Sequence, residues 1–181
     1  MLWIFLMMAM QTLPTSEQVV FDFSKPEEES LKKWFSINDV VMGGLSEGKL
    51  KLSPEGNLVF YGVVRPDNFG GFASVRTDME NIFKGFKGIK LKVLTDGNIY
   101  QVRLKTDRNF DGINYTAKFT CPPGKWQEIA IPLSEFTPVF RGRSVADYPA
   151  LKSEDIQQFG FLISDKQFGE FELKVEWVKF Y

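Results

Sequence analysis

Alternation of apolar and polar residues with a period of two recurs along this chain, and it restricts the available folds more than any other feature. In KGIKLKVL, Ile89, Leu91 and Val93 fall on one side and Lys90 and Lys92 on the other. In IYQVRLKT, Tyr100, Val102 and Leu104 alternate with Gln101, Arg103 and Lys105. Tyr115, Ala117, Phe119 and Cys121 alternate with Thr116, Lys118 and Thr120, and near the C-terminus Phe171, Leu173, Val175 and Trp177 alternate with Glu172, Lys174 and Glu176. Successive strand side chains point to opposite faces, so each segment is expected to bury one face and wet the other. That is the pattern of antiparallel sheets packed face to face. Helical periodicity is nearly absent, and the expected class is all-β: an antiparallel β-sandwich or jelly roll.

Local signals add detail. VVFDF reads as a first strand. SKPEEESLKKWF predicts one short N-terminal helix, with Ser24 as cap, Pro26 and Glu27 to Glu29 in its first turn and Lys32 and Lys33 further on. Pro54 to Asn57 marks a turn between two strands, and Asp96-Gly97 predicts a hairpin turn between the strands on either side of it. DRNFDGIN, residues 107–114, reads as a hairpin loop rather than a Ca²⁺ site, because its spacing is not that of a helix-loop-helix calcium loop.

A chain of 181 residues suits one domain, expected over 18–181, with 1–17 as a separate apolar segment. Met1 to Met10 is apolar but too short to span a bilayer, which takes about 20 apolar residues. It has the length of a signal-peptide core, without a preceding Lys or Arg and without an A-x-A site. Export or envelope association, with at most a weak N-terminal membrane tether, is the expectation taken over a cytoplasmic one. The segment is not Arg-rich, as a mitochondrial address would be, so a bacterial source is expected.

Charge and residue counts exclude several functions. The net charge is -1 with no basic block, which argues against nucleic acid as a partner. The absence of histidine excludes Ser-His-Asp and Cys-His catalysis and every His-ligated metal site. Cys121 is the only cysteine, so no internal disulfide can form, and a small buried hydrophobe is its expected role. The chain lacks a P-loop, a dinucleotide fingerprint and a nucleophile elbow. No catalytic residues, no cofactor and no metal are expected, and the chain is read as non-enzymatic.

Candidate binding residues gather in WFSINDVVMGGLSEGKL, residues 34–50. Gly43 and Gly44, side by side after an apolar run, imply a backbone turn or a close approach. Beside them, Asn38, Asp39 and Ser46 can bond a ligand, or alternatively their own backbone in a structural corner. Trp34 lies outside any visible alternating strand, and it and Tyr100 are candidates to stack on a sugar ring, core packing being the alternative. By period two, Arg76 lies on the side of Phe72 and Ser74 as an inward or groove-lining arginine, with an ion pair to Asp39 as its structural alternative. Arg141, in a loop after Pro138-Val139-Phe140, completes the set.

The 34–50 stretch resembles the signature of the complex I intermediate-associated protein 30 family. Further pieces follow in the family's order: GGFASVR at 70–76, DGNIYQVRL at 96–104, YTAKF at 115–119, Trp126 with IPLSEFTPVFRG ending at 142, and FGFLISDKQFGEFELKVEWV at 159–178. The resemblance implies a galactose-binding-domain-like sandwich. It also implies a protein-binding assembly factor or chaperone, whose partners are protein subunits of a membrane complex, NADH:ubiquinone oxidoreductase above all. The alternative is a carbohydrate-binding envelope protein with a glycan as ligand. A sugar binder should expose an aromatic beside Asn38, Asp39 and Arg76; an assembly factor should expose an apolar patch on the order of several hundred Å². If Asn38 and Asp39 spend their hydrogen bonds on the backbone, neither remains a ligand group.

Overall fold

The computed structural model describes residues 17–24, 31–80 and 83–181. Thirteen strands follow one another: β1 (Gln18–Asp22), β2 (Trp34–Ser36), β3 (Glu47–Leu52), β4 (Leu58–Val64), β5 (Ala73–Asp78), β6 (Gly88–Thr95), β7 (Tyr100–Lys105), β8 (Asn114–Phe119), β9 (Gln127–Pro132), β10 (Thr137–Phe140), β11 (Arg143–Ser144), β12 (Gln158–Ile163) and β13 (Gly169–Phe180). They form two antiparallel sheets packed as a jelly roll. One sheet has the order β3-β4-β13-β6-β9, with β1 also paired to β13; the other has the order β11-β10-β8-β7-β12-β5-β2.

The alternating residues supply the core. Ile89, Leu91 and Val93 of β6 are fully buried, as are Tyr100, Val102 and Leu104 of β7 and Phe159, Phe161 and Ile163 of β12. Rings pack at one end of this core, where Phe21 lies 5.4 Å from both Trp34 and Phe159, and Trp34 stacks parallel to Phe161 at 6.3 Å. Burying each such ring contributes about 2 to 3 kcal/mol. Cys121 is buried as expected, and burial pushes its thiol pKa up.

The turn over Ser53 to Asn57 joins β3 to β4 as the sequence implies, with Leu52 opposite Leu58. The short N-terminal helix, expected from a Ser24 cap to about Lys33, lies mostly on residues 25–30, outside the described residues, and among those described no helix reaches seven residues. Two other expectations need correction. Asp96-Gly97 does not close a hairpin, because β6 and β7 lie in different sheets. The chain turns a corner there, held by the Asp96 carboxylate, which accepts from Asn98 N at 3.0 Å, the Tyr100 hydroxyl at 3.1 Å and Glu172 N at 2.9 Å. Asp-Gly chemistry specifies the tight turn but not which strands then pair. Finally, the outward face of the seven-stranded sheet is not uniformly wet. Arg76, Lys105, Asn114 and Gln158 all point outward from it and are all buried.

Candidate functional site

Asp39 opens a single 3-10 turn (Asp39–Met42) that ends on Gly43 with φ of 90°. Its carboxylate is fully buried and accepts four hydrogen bonds: Ser46 N at 2.9 Å on one oxygen, and Ser46 Oγ at 2.5 Å, Gly71 N at 2.6 Å and Phe72 N at 3.3 Å on the other. Ser46 Oγ in turn accepts from Arg65 N at 2.9 Å. Burial alone would raise the Asp39 pKa, but the bonds from the Ser46 hydroxyl, Gly71 N, Ser46 N and Phe72 N outweigh it, and the net displacement is downward. Beside it, the Asn38 side chain accepts from Ser74 N and donates to Gly48 O, both at 3.4 Å. Gly44 is required for space: a Cβ there would collide with the Asp39 side chain.

The structure therefore brings Asn38, Asp39, Gly43, Gly44 and Ser46 together, but as a closed corner. The Asp39 carboxylate spends four hydrogen bonds on backbone and on Ser46, and the half-buried Asn38 amide makes its two with backbone groups. What the corner presents outward is apolar. Val40 is 59% exposed, Leu45 51% and Phe168 48%, and Ile99 is also exposed. Phe168 lies against Gly71, whose amide is bonded to Asp39, and Gln167 bonds both the amide and the carbonyl of Ile99.

Arg76 lies elsewhere, on the outward face of the seven-stranded sheet. It makes no pair with Asp39. Its guanidinium donates to Gln158 Oε1 at 3.2 Å, Asn114 Oδ1 at 3.3 Å and the Phe110 carbonyl at 3.4 Å, all neutral acceptors. Burial lowers its pKa against the more distant fields of Asp107 and Asp78. Lys105, on the same face, bonds the carbonyls of Asn109 and Asp111 and pairs with Asp107 at 3.1 Å. These contacts draw the 106–113 loop back over the sheet. The loop's carboxylates serve the fold: Asp107 accepts from Asn109 N, and Asp111 from Gly112 N and Arg141.

Arg103 completes this floor and differs from its neighbours. Its Nε is buried with no hydrogen-bond partner, and no acid pairs with its guanidinium among the described residues. Desolvation, reinforced by the like charge of Arg76, holds its pKa down to about 10. Arg103 and Arg76 are register partners of Gly160 from its two sides. Phe35, on the outermost strand, stands opposite Arg76 and is exposed.

Two candidate platforms lie in the core. Trp34 stands opposite Thr77, whose side faces inward, and is buried among Phe21, Phe23, Phe159 and Phe161. A three-residue strand is too short to reveal its alternation, and a slip of one residue exchanges the two faces. The outward aromatic is therefore Phe35. Tyr100 is fully buried, with its hydroxyl on Asp96 and its pKa raised by burial and by that carboxylate. Arg141 is the first residue of a two-residue turn between β10 and β11, with φ of 48° followed by Gly142 at 78°. It pairs with Asp111 at 2.5 Å and covers the Phe140 ring at 5.2 Å. Sequence reasoning passed over Arg103, Lys105, Asn114, Gln158 and Phe35. The one available signal was Gln101-x-Arg103-x-Lys105, two cations on one face of a strand.

A cleft of about 530 Å³ opens on the outward side of β3, β4 and β13, lined by Glu47, Lys49, Tyr61, Asp96, Glu170 and Glu172. Among the described residues, no three acids or thiols converge on a position for a metal ion.

The two-sheet jelly roll is a fold shared with solved structures. A family 11 carbohydrate-binding module from Clostridium thermocellum, solved with a β-1,3-1,4-mixed-linked tetrasaccharide, shares the fold at a TM-score of 0.64 and 17% identity, covering 91% of this chain and 94% of that one. A family 29 carbohydrate-binding module shares it at a TM-score of 0.53 and 9% identity, covering 91% and 84%. The chain belongs to the complex I intermediate-associated protein 30 family, which it matches over residues 21–175. It is 30% identical to an uncharacterized protein of Schizosaccharomyces pombe over 83% of this chain and 78% of the relative. It is 28% identical to mouse mitochondrial complex I intermediate-associated protein 30 over 89% of this chain and 55% of the relative, and so spans about half the length of the mouse protein.

Proposed function

We propose that this chain is a non-enzymatic module that binds a partner polypeptide during assembly of a membrane complex, of the respiratory NADH:ubiquinone oxidoreductase type named by its family. The observation that carries this reading is the corner around Asp39. Its buried hydrogen bonds tie the 39–46 segment to Gly71 and Phe72, and that segment holds Val40 and Leu45 out into solvent; Phe168, against Gly71, and Ile99, bonded by Gln167, are exposed as well. Exposed apolar side chains on rigid supports suit a protein partner better than a small polar ligand. Family membership supports the same reading.

Affinity capture with the full chain from its own cells tests it, beside a Val40→Glu/Phe168→Glu variant. Wild-type chain should recover respiratory-complex subunits, and the variant should lose them while keeping its thermal midpoint. Recovery of the same subunits by the folded variant, or of none by either chain, would overturn the reading.

A second reading, glycan binding, is favoured by a different region. The outward face of the seven-stranded sheet offers amide, hydroxyl and guanidinium groups with the exposed Phe35 ring at one side, the combination that orients a sugar.

A further inference from the structure

We infer that the Asp111-Gly112 step is a site of covalent modification, where the chain closes to a succinimide and reopens as isoaspartate or aspartate.

The sequence holds two Asp-Gly steps, at 96–97 and 111–112. A glycine amide can approach the preceding carboxyl closely, because no Cβ stands in the way. Both steps lie between strands, so their order in the chain ranks them equally. Their hydrogen bonds do not. Gly97 N donates to the Thr95 hydroxyl at 3.2 Å, and the Asp96 carboxylate is held by Asn98 N, the Tyr100 hydroxyl and Glu172 N. Nucleophile and electrophile are there pinned to different partners. At the second step the Gly112 amide donates to the Asp111 carboxylate itself, with Oδ1 at 2.9 Å. An N–H aimed at the carboxyl group aims the nitrogen lone pair at it once the proton has left, and groups held about 3 to 3.5 Å apart are close to the geometry of attack.

Access agrees with this geometry. Asp111 is exposed and follows Phe110, which is 66% exposed. The space around the amide is open: a Cβ on Gly112 would meet nothing nearer than 3.6 Å. One contact opposes the reaction. Arg141 pairs with the same carboxylate at 2.5 Å, and together with Gly112 N it holds the Asp111 carboxyl below the usual carboxylate range. Ring closure runs through the neutral acid, so the guanidinium slows it without blocking the path.

The atoms balance with water alone. Gly112 N loses its proton and bonds Asp111 Cγ, while the carboxyl, having taken up a proton, releases one oxygen as water. Water then adds to either ring carbonyl. At Cγ it restores aspartate; at the Asp111 main-chain carbonyl carbon it leaves the chain running through Cβ and Cγ. In that isoaspartate the carboxylate that Arg141 pairs has become the peptide link, and the carbonyl that Lys105 holds at 3.2 Å has become the carboxylate. The negative charge passes from the Arg141 side of the loop to the Lys105 side. The product is a substrate for isoaspartyl methyltransferases, which use S-adenosylmethionine. The site is independent of both readings of function above.

Ageing the full folded chain in mildly acidic heavy-oxygen water, with tryptic mapping in ordinary water, tests it, because each ring opening fixes one heavy oxygen. The peptide 109–118 should gain label about tenfold faster than 93–103, and in urea the two should gain it alike. Arg141→Gln should speed labelling of 109–118. Asp111→Glu, which keeps the charge but would need a six-membered ring, should abolish it. An isoaspartyl methyltransferase with labelled S-adenosylmethionine should methylate the aged wild type at position 111. Equal labelling of the two peptides in the folded chain, no label in 109–118, or a label there that persists in Asp111→Glu would overturn the inference. So would a difference between the peptides that survives unchanged in urea, since the fold would then not be its cause.

Discussion

The corner at Asp39 and the floor at Arg103 both take a charge out of water, Asp39 wholly and Arg103 in part, and they treat it in opposite ways. Asp39 pairs with no cation among the described residues, and four donors from Ser46, Gly71 and Phe72 solvate its carboxylate inside the protein. Arg103 has outward-facing polar neighbours on the same sheet, yet its Nε finds no acceptor. A fold can leave such a group incomplete only where something else completes it or where the cost is tolerated. The contrast separates a charge that the fold completes from one that it leaves half open to solvent, and each region predicts a different response to losing its charge.

The largest effect is expected at the corner. Asp39→Asn keeps the shape but turns an NH₂ toward amides and a hydroxyl that need an acceptor. Hydrogen bonds to a charged group are worth about 1.5 to 3 kcal/mol each, and buried donors left unsatisfied cost a similar amount. Urea denaturation should report a loss on the order of 3 kcal/mol or more. The pH dependence follows from sign. The folded-state pKa of Asp39 lies below its unfolded value, so its contribution is complete above the ordinary aspartate range near about 3.9 and is lost as pH falls through the folded pKa. The wild-type advantage over Asp39→Asn should therefore be flat at neutral pH and shrink in acid. An advantage that grew in acid would mean that burial, not hydrogen bonding, dominates at Asp39, and the corner would not be the closed site described.

Much of this frame is legible in the sequence. The period of two gives the inward residues of β6, β7 and β8, and of β13 as far as Val175, beyond which a bulge takes Trp177 off the buried face and puts Val178 and Phe180 on it; with them it gives the all-β class. The types Asn38, Asp39, Gly44 and Ser46 mark a corner, although nothing in the order of residues reveals that the amides bonded to Asp39 come from Gly71 and Phe72, more than thirty positions on. Alternation cannot tell a wet face from one that a loop later covers, so Lys105 reads as a solvent residue until Asn109 and Asp111 of the 106–113 loop close over it. Trp34 and Phe35 are exchanged for the same reason: with three residues in β2, either parity fits. The Asp96-Gly97 turn is legible as a turn, but sheet membership depends on packing far from it.

At the floor the opposite sign is expected. Arg103→Met removes an uncompensated charge and keeps an unbranched chain of similar reach, and replacing poorly paired buried charges with apolar groups is often neutral or stabilising. Chemical denaturation should show stability unchanged or raised by about 1 kcal/mol. A loss of 2 kcal/mol or more would mean that Arg103 is a structural charge like Asp39, and the distinction between the two regions would fail.

The smallest effect sharpens the boundary of the floor. Arg141 and Asp111 are both exposed, and exposed pairs contribute little, so Arg141→Gln should leave the denaturation midpoint where it is. The same pair ties the 106–113 loop to the β10–β11 turn from outside, and the loop reaches Arg76 from inside through the Phe110 carbonyl. If the inner bonds to Arg76 and Lys105 hold the loop, releasing it at Arg141 leaves the midpoint unmoved; a fall of about 1 kcal/mol or more would mean that the outer pair keeps the loop on the sheet.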